Sequence, residues 1–369
     1  MRRWFLDKEI GNNLIALEGD RMNRFKLSVL LVIVLIVLAF ESMAFAKTIR
    51  WRMPTTWPKG TILQWSAEFF AKTVNEMSGG RLKITAYPGG AIMGPLEIFD
   101  AVTAGTVEAG HGSSAYWIGK EPSAPLFSAI PMGFTAVPYL AWFYEGDGLK
   151  LMREMYAKYN LGFVGPCGII PPEDFAWSHK PITKLEDFKG LKFRTFGFWG
   201  EILSEMGASV VTLPGAEVYP SLQRKVLDAA EFSLPNIDRD LGFHEICKYL
   251  TVPGVHQPST VFDLYVSKRA WNKLTPDLQA IVKYACQITS MRTLVRSVWL
   301  DGPALESFKK YGTKINYISP EVQQQMAKVA NEFFDRKAAK DPFFAKVLKS
   351  QREWMKSYKV YRDLMNPRY

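Results

Sequence analysis

A two-lobed α/β fold is predicted by three features of this 369-residue chain. Strand-like and helix-like segments alternate in two blocks, near residues 49–112 and 183–233. A Gly- and Pro-containing stretch, residues 162–172, joins the blocks. Past residue 275 the pattern turns helical for long enough to brace both lobes. A composition of 48% hydrophobic and 22% charged residues is ordinary for globular chains, and this length suits two domains.

The elements follow in order. Arg21, Arg24 and Lys26 precede a mostly aliphatic run, residues 27–40, and Ala44-Phe45-Ala46 supplies an A-x-A motif. This matches an export signal cleaved after Ala46, with Met22 as an alternative start. The run is shorter than the roughly 20 apolar residues of a membrane span; an uncleaved anchor is the other reading. Residues 49–53 are a short strand. Ile62, Leu63, Ala67, Phe70, Val74 and Met77 recur at helical spacing, closed by Gly79-Gly80. Residues 82–87 alternate as a half-buried strand, Pro95 opens a helix to Ala104, and 107–112 is the next strand. Parallel pairing is expected within this block.

In the second block Thr183-Lys184-Leu185-Glu186 has the form of a capping box. Strands at 191–195, 209–213 and 227–233 alternate with helices at 200–206 and 216–225. Extended segments near 162–170 and 260–266 are placed to cross between the lobes. Thr275-Pro276 then opens a helix expected to run to about residue 308, roughly 45 Å at 1.5 Å per residue. Ser319-Pro320-Glu321 starts another. The tail, 341–365, is helical and carries Phe343, Phe344, Trp354, Tyr358 and Tyr361, an aromatic stripe suited to docking on its own lobe or on a second subunit.

Function classes narrow quickly. The net charge is +10, but no basic block of five residues occurs and bases sit beside acids, as in residues 184–189; nucleic-acid binding is disfavoured. Cys167, Cys247 and Cys286 make no CxxC and no disulfide framework, so buried thiols are the default reading. The sequence lacks HExxH, GxSxG and GxGxxG, and its four histidines lack the i, i+4 spacing of helical metal ligands. What remains is polar residues at strand ends, where α/β sheets bind ligands. Arg194 closes one strand with a planar fork suited to a carboxylate. Glu231, followed by Phe232, closes another. Gln257 lies in the loop before a third and offers a carbonyl oxygen or an amide. Arg194 and Glu231 also read as a structural pair.

At these residues the chain resembles the extracytoplasmic solute receptors of tripartite ATP-independent periplasmic (TRAP) transporters, the DctP-like family, and within it the 2-oxo and hydroxy acid branch. The likeness rests on Tyr87-Pro88-Gly89-Gly90, on Leu185 to Arg194 (LEDFKGLKFR), on Val218-Tyr219-Pro220-Ser221-Leu222, on Leu227 to Glu231 (LDAAE) and on the PGxHQP loop. It implies a periplasmic binding protein fold with crossing hinge strands and a long lobe-spanning helix. It implies Arg194 on the ligand carboxylate, and Glu231, the Phe232 carbonyl and Gln257 on a sodium or calcium ion bridging the ligand. Tyr116 and Trp117 match the pocket wall, with Phe198 beside them. Two departures stand out: Gln257 replaces a frequent carboxylate, and Ile169-Ile170-Pro171-Pro172 replaces an expected amide, with Glu173 nearby.

The expected organisation is a signal peptide at 1–46, lobe I at 47–168 with a return segment near 227–262, and lobe II at 169–226 continued by 263–318. C-terminal helices at 319–369 would carry a dimerisation tail. The expected function is capture of a small organic anion for the membrane subunits of a TRAP transporter, without chemistry on it. A secreted α/β enzyme using Glu231 as base is the rival. Periplasmic location and a homodimer complete the expectations, with removal of Arg194 costing binding but little stability.

Overall fold

A computed structural model describes residues 48–365. The export signal and its cleavage site lie outside the described residues. The first block holds β1 (Ile49–Pro54), α1 (Ile62–Met77), β2 (Leu82–Tyr87), α2 (Ile98–Thr103) and β3 (Ala109–Gly112), then α3 (Ala136–Tyr144) and α4 (Gly148–Tyr156). The Thr61 hydroxyl accepts from the Gln64 amide to start α1, which buries Leu63, Ala67, Phe70 and Val74. The crossing strand β4 (Leu161–Ile170) leads into β5 (Ala176–Ser178), β6 (Lys192–Arg194), α5 (Gly197–Glu205), β7 (Ser209–Val211), α6 (Gly215–Gln223) and β8 (Ala229–Ala230). Next come α7 (Pro235–Asp240), α8 (Phe243–Ile246), β9 (Tyr249–Val252), β10 (Thr260–Ser267) and α9 (Lys268–Trp271). The chain closes with α10 (Pro276–Tyr311), β11 (Lys314–Tyr317), α11 (Pro320–Ala338) and α12 (Pro342–Met365).

The strands form three sheets: β1-β2, β3-β10-β4 and the six-stranded β11-β9-β5-β8-β6-β7. The chain passes from the three-stranded to the six-stranded sheet along β4, returns along β10, and passes again along α10. Strands β4 and β10 pair antiparallel, with Thr260 opposite Ile170. Helix α10 has 36 residues, about 54 Å, and packs on α1, β4 and α7. It thus touches elements of both lobes, as the sequence implies, accommodates Pro303 inside it, and runs three residues past the expected end to stop at the left-handed Gly312.

Some expectations are corrected. The strands within 227–262, β8 and β9, hydrogen-bond into the sheet that holds β6, so this segment is no return to the first lobe. Strand β10, placed with the second lobe, lies between β3 and β4. Strand β3 pairs antiparallel with β10, and among the described residues an isolated parallel bridge, Thr55 to His111, ties it to the first strand's end. Near residue 185 the capping acid is Asp187, not Glu186: its Oδ2 accepts from the amides of Thr183 and Lys184. In the second block, parallel pairing of β6 with β7 and β8 puts their carboxyl ends together.

One buried acid in the crossing strand has a measurable signature. Asp263 Oδ2 accepts from the Ser114 amide at 3.2 Å and from the Tyr265 hydroxyl at 3.1 Å. Burial pushes its carboxyl up from 3.8 to about 8. Between those values the folded state holds a proton that the unfolded chain has released. Stability therefore falls as pH rises through that window, at up to about 1.4 kcal/mol per unit. Asp263→Asn is expected to gain melting temperature relative to the native chain from pH 5 to pH 8. Parallel melting curves across that range would refute the assignment.

Candidate functional site

The end of β6 carries Arg194 into the interior between the lobes, where it is fully buried. Its Nε and Nη2 donate to the Leu213 carbonyl at 3.1 and 2.9 Å, and Nη1 donates to the Glu231 carbonyl at 2.7 Å. Two longer contacts complete its donor set: Nη1 to Glu231 Oε1 at 3.3 Å and Nη2 to the Tyr116 hydroxyl at 3.4 Å. The rings of Phe196 and Phe232 lie 5.5 and 5.3 Å from the guanidinium carbon. Phe196 stacks on Tyr116 at 4.6 Å. Tyr116 follows β3, whereas Leu213 and Glu231 follow β7 and β8, so the group is gripped from both lobes: the cleft is closed. Gly215 makes this possible locally, since a Cβ there would stand 2.3 Å from the Phe232 ring.

Burial overturns the expectation that Arg194 is dispensable for stability. Its removal would strand the Glu231 carboxylate in a low dielectric. It also shapes how an anion would enter. The three short carbonyl contacts hold the fork in place, and the two long contacts are those that a carboxylate can displace.

Beside the arginine lies a cluster that the fold assembles from three segments. Glu231, Glu173 and His256 each offer a ligand atom, and these atoms lie within 4.8 Å of one another. Glu173 Oε1 accepts from the Thr260 hydroxyl at 2.9 Å, while Glu173 Oε2, Glu231 Oε2 and both His256 ring nitrogens have no hydrogen-bond partner among the described residues. Burial raises the Glu231 carboxyl, with Arg194 opposing. Burial and then the Glu231 charge push Glu173 well up. Burial, then Arg194, lowers His256 to about 3, leaving its imidazole neutral. Two adjacent carboxyls with idle oxygens and one shared arginine hold either a proton or a cation between them. Carboxylate oxygens suit a hard ion such as sodium or calcium, and a neutral imidazole adds no opposing charge. The residues present fit such an ion.

The other site candidates fall into place unevenly. Tyr116 touches Arg194, and the Phe232 ring packs against it. Gln257 is buried close by, but Gln257 Oε1 and Glu173 Oε1 both lie 2.9 Å from the Thr260 hydroxyl. One hydroxyl proton serves only one of them, so turning the Gln257 amide to donate satisfies all three groups. In that orientation Gln257 supports Glu173 through Thr260, and its Oε1 is left free of the hydroxyl. Trp117 is a correction: its Nε1 donates to the Tyr265 hydroxyl at 3.0 Å and its ring stacks on Phe99, inside the core. Phe198 is another, packed edge-on against Phe333, Phe334 and Phe344. Sequence reasoning named Glu173 only as a compensating acid and passed over His256, although it stands inside the PGxHQP motif. Phe196, two residues past Arg194, was also missed.

The family model for bacterial extracellular solute-binding protein, family 7, matches residues 53–341. The chain belongs to this family. It is an extracytoplasmic solute receptor for small organic anions that works with TRAP membrane subunits, and the enzyme reading of Glu231 is set aside. A monocarboxylate 2-oxoacid-binding periplasmic protein of Nostoc sp. is 38% identical over 311 residues, 84% of each chain. A TRAP solute-binding protein of Pseudoalteromonas atlantica, solved with bound sodium and pyruvate, is 34% identical with a TM-score of 0.83, covering 86% of this chain and 97% of its own. One from Bordetella bronchiseptica, a mixed-occupancy dimer with copurified calcium and picolinate, is 31% identical with a TM-score of 0.84, covering 86% and 95%.

Proposed function

We propose that this receptor captures a small 2-oxo monocarboxylate together with a sodium or calcium ion, by closure of the two lobes over both. The observation that carries the reading is the juxtaposition of one buried guanidinium with an acidic cluster that has idle oxygens. An anion alone would suit the arginine and be repelled by Glu173 and Glu231. A ligand with a carboxylate and an adjacent oxo group can present one face to Arg194 and share a cation with the acids on the other. The 2-oxoacid relative from Nostoc and the pyruvate-bound structure support this choice.

In capture, Tyr116 swings clear with its lobe while Phe196 stays beside Arg194, the anion takes over the two long Arg194 contacts, and closure excludes water, strengthening each charge-assisted bond. Glu231 and Glu173 would hold the cation, with the Phe232 carbonyl next in the chain as a further ligand, and Thr260 with Gln257 would fix Glu173. A bound cation supplies positive charge that lets both carboxyls ionise.

A thermal-shift titration of the mature chain with pyruvate, with and without sodium or calcium, tests this. Ligand binding to the native state alone raises the melting temperature. The expected result is a pyruvate-dependent rise that either cation enlarges, with the cation-dependent part lost in Glu231→Gln. No rise with any 2-oxo acid, cation present, would reject the ligand class.

The assembly and export readings belong to the same proposal. The chain is exported to the periplasm by the segment before residue 47, and it forms a homodimer. The first half of α12 packs on its own lobe through Phe344, Val347 and Leu348, and Trp354 Nε1 donates to the Pro138 carbonyl at 2.8 Å. Its end leaves Tyr361, Leu364 and Met365 exposed, as α10 does Val298 and Trp299. Light scattering is expected to read twice the monomer mass, falling to one mass when α12 is truncated after Trp354.

A further inference from the structure

All three cysteines are buried thiols in this structure. Cys247 lies between α8 and β9, in the apolar cluster under the six-stranded sheet. The other two meet. Cys167 sits within the crossing strand β4, and Cys286 lies on the buried face of α10, among Val282, Ala285, Thr289 and Ser290. Helix α10 packs directly on β4. The Cys286 thiol lies within reach of the Cys167 thiol, and the Tyr144 hydroxyl lies near both. Both cysteines are at most 2% exposed, so a bond between them would be shielded from reductants once the chain is folded.

We propose that Cys167 and Cys286 form a disulfide that ties the crossing strand β4 to the long helix α10. Two facts on chemistry favour it. Receptors of this family act outside the cytoplasm, where thiols meet oxidants. A chain arriving unfolded offers its cysteines before burial, and folding then brings this pair, and not Cys247, side by side. The oxidant required is a protein disulfide of the extracytoplasmic thiol-oxidising class. One cysteine thiolate attacks that disulfide, forming a mixed disulfide and releasing one oxidant thiol. The second cysteine thiolate then displaces the other oxidant thiol, so two protons and two electrons leave the receptor and the oxidant ends as a dithiol.

The bond would close a long loop of chain and lower the entropy of the unfolded state. It would also bind strand and helix into one body where β4 crosses between the lobes. The backbone there is anchored as well: the Cys167 carbonyl is 3.0 Å from His111 Nε2. Neither consequence depends on which anion the receptor binds.

The test uses the mature protein exported by its host and purified without reductant. It is denatured in excess alkylating agent and its unreduced peptides are mapped by mass spectrometry. The expected result is one alkylated thiol, Cys247, and one linked peptide joining Cys167 to Cys286. Three alkylated thiols, or a link that includes Cys247, would overturn the proposal. A reductant should lower the melting temperature of the native chain by several degrees and leave Cys286→Ala unmoved. Equal shifts in the two proteins would count against the bond.

Discussion

Replacing Arg194 by alanine is expected to weaken carboxylate binding by about 30-fold to a few thousand-fold and to lower the melting temperature in the same step. The binding loss follows from removing one partner of a buried, hydrogen-bonded charge pair, typically about 2–5 kcal/mol. The stability loss follows from Glu231, whose Oε1 and carbonyl both face the guanidinium; breaking such a pair costs about 3–5 kcal/mol. A double variant separates the two effects. In Arg194→Ala with Glu231→Gln the stranded charge is gone, so part of the melting temperature should return while binding stays lost. Calorimetry with pyruvate beside a thermal melt reads both quantities. Intact affinity in the single variant would end the assignment of Arg194 to the ligand.

Alanine at Gly254 is expected to cost nearly as much without touching any ligand atom. A Cβ there would stand 2.0 Å from the Glu173 carbonyl oxygen and 2.6 Å from its carbon. Both obstacles are backbone, joined to Gly254 by an antiparallel bridge, so the two segments must part. One carries Glu173 and the other His256 and Gln257. Displacements of about 1 Å in a preorganised site are worth about 100-fold, and overpacking a close contact costs about 1–3 kcal/mol. Pyruvate affinity should therefore drop about 100-fold in Gly254→Ala, with a lower melting temperature. An affinity within threefold of the native value would show that the bridge does not position the acids.

The parts of this fold that could be read from the sequence are those whose cause is local. The β6-α5-β7-α6-β8 run declares itself through alternation and helical periodicity, and its parallel pairing puts Arg194 and Glu231 at neighbouring strand ends, where they were sought. Pairing between distant segments leaves no such trace. Nothing near residues 109–112 announces β10 as their antiparallel partner, and β8 stops at Ala230 because the chain turns toward Pro235 to start α7. The direction of an aromatic ring is equally non-local. Trp117 and Phe198 sit next to site residues in the chain, yet the first is claimed by Tyr265 and Phe99 and the second by the phenylalanines of α11 and α12. The cation cluster escaped for a related reason: Glu173 and His256 come from separate loops and meet only because β4 and β10 run side by side.

The three passages between the sheets limit what the receptor can do when it opens. Two are paired strands and the third is a rod of about 54 Å that rests on both halves. A rod so seated resists any change in length, so the halves cannot pull straight apart like the shells of a clam. They can turn about it, as a page turns about a spine. Spin labels on opposite rims of the cleft should then separate widely on ligand removal, while a pair astride α10 should keep its spacing.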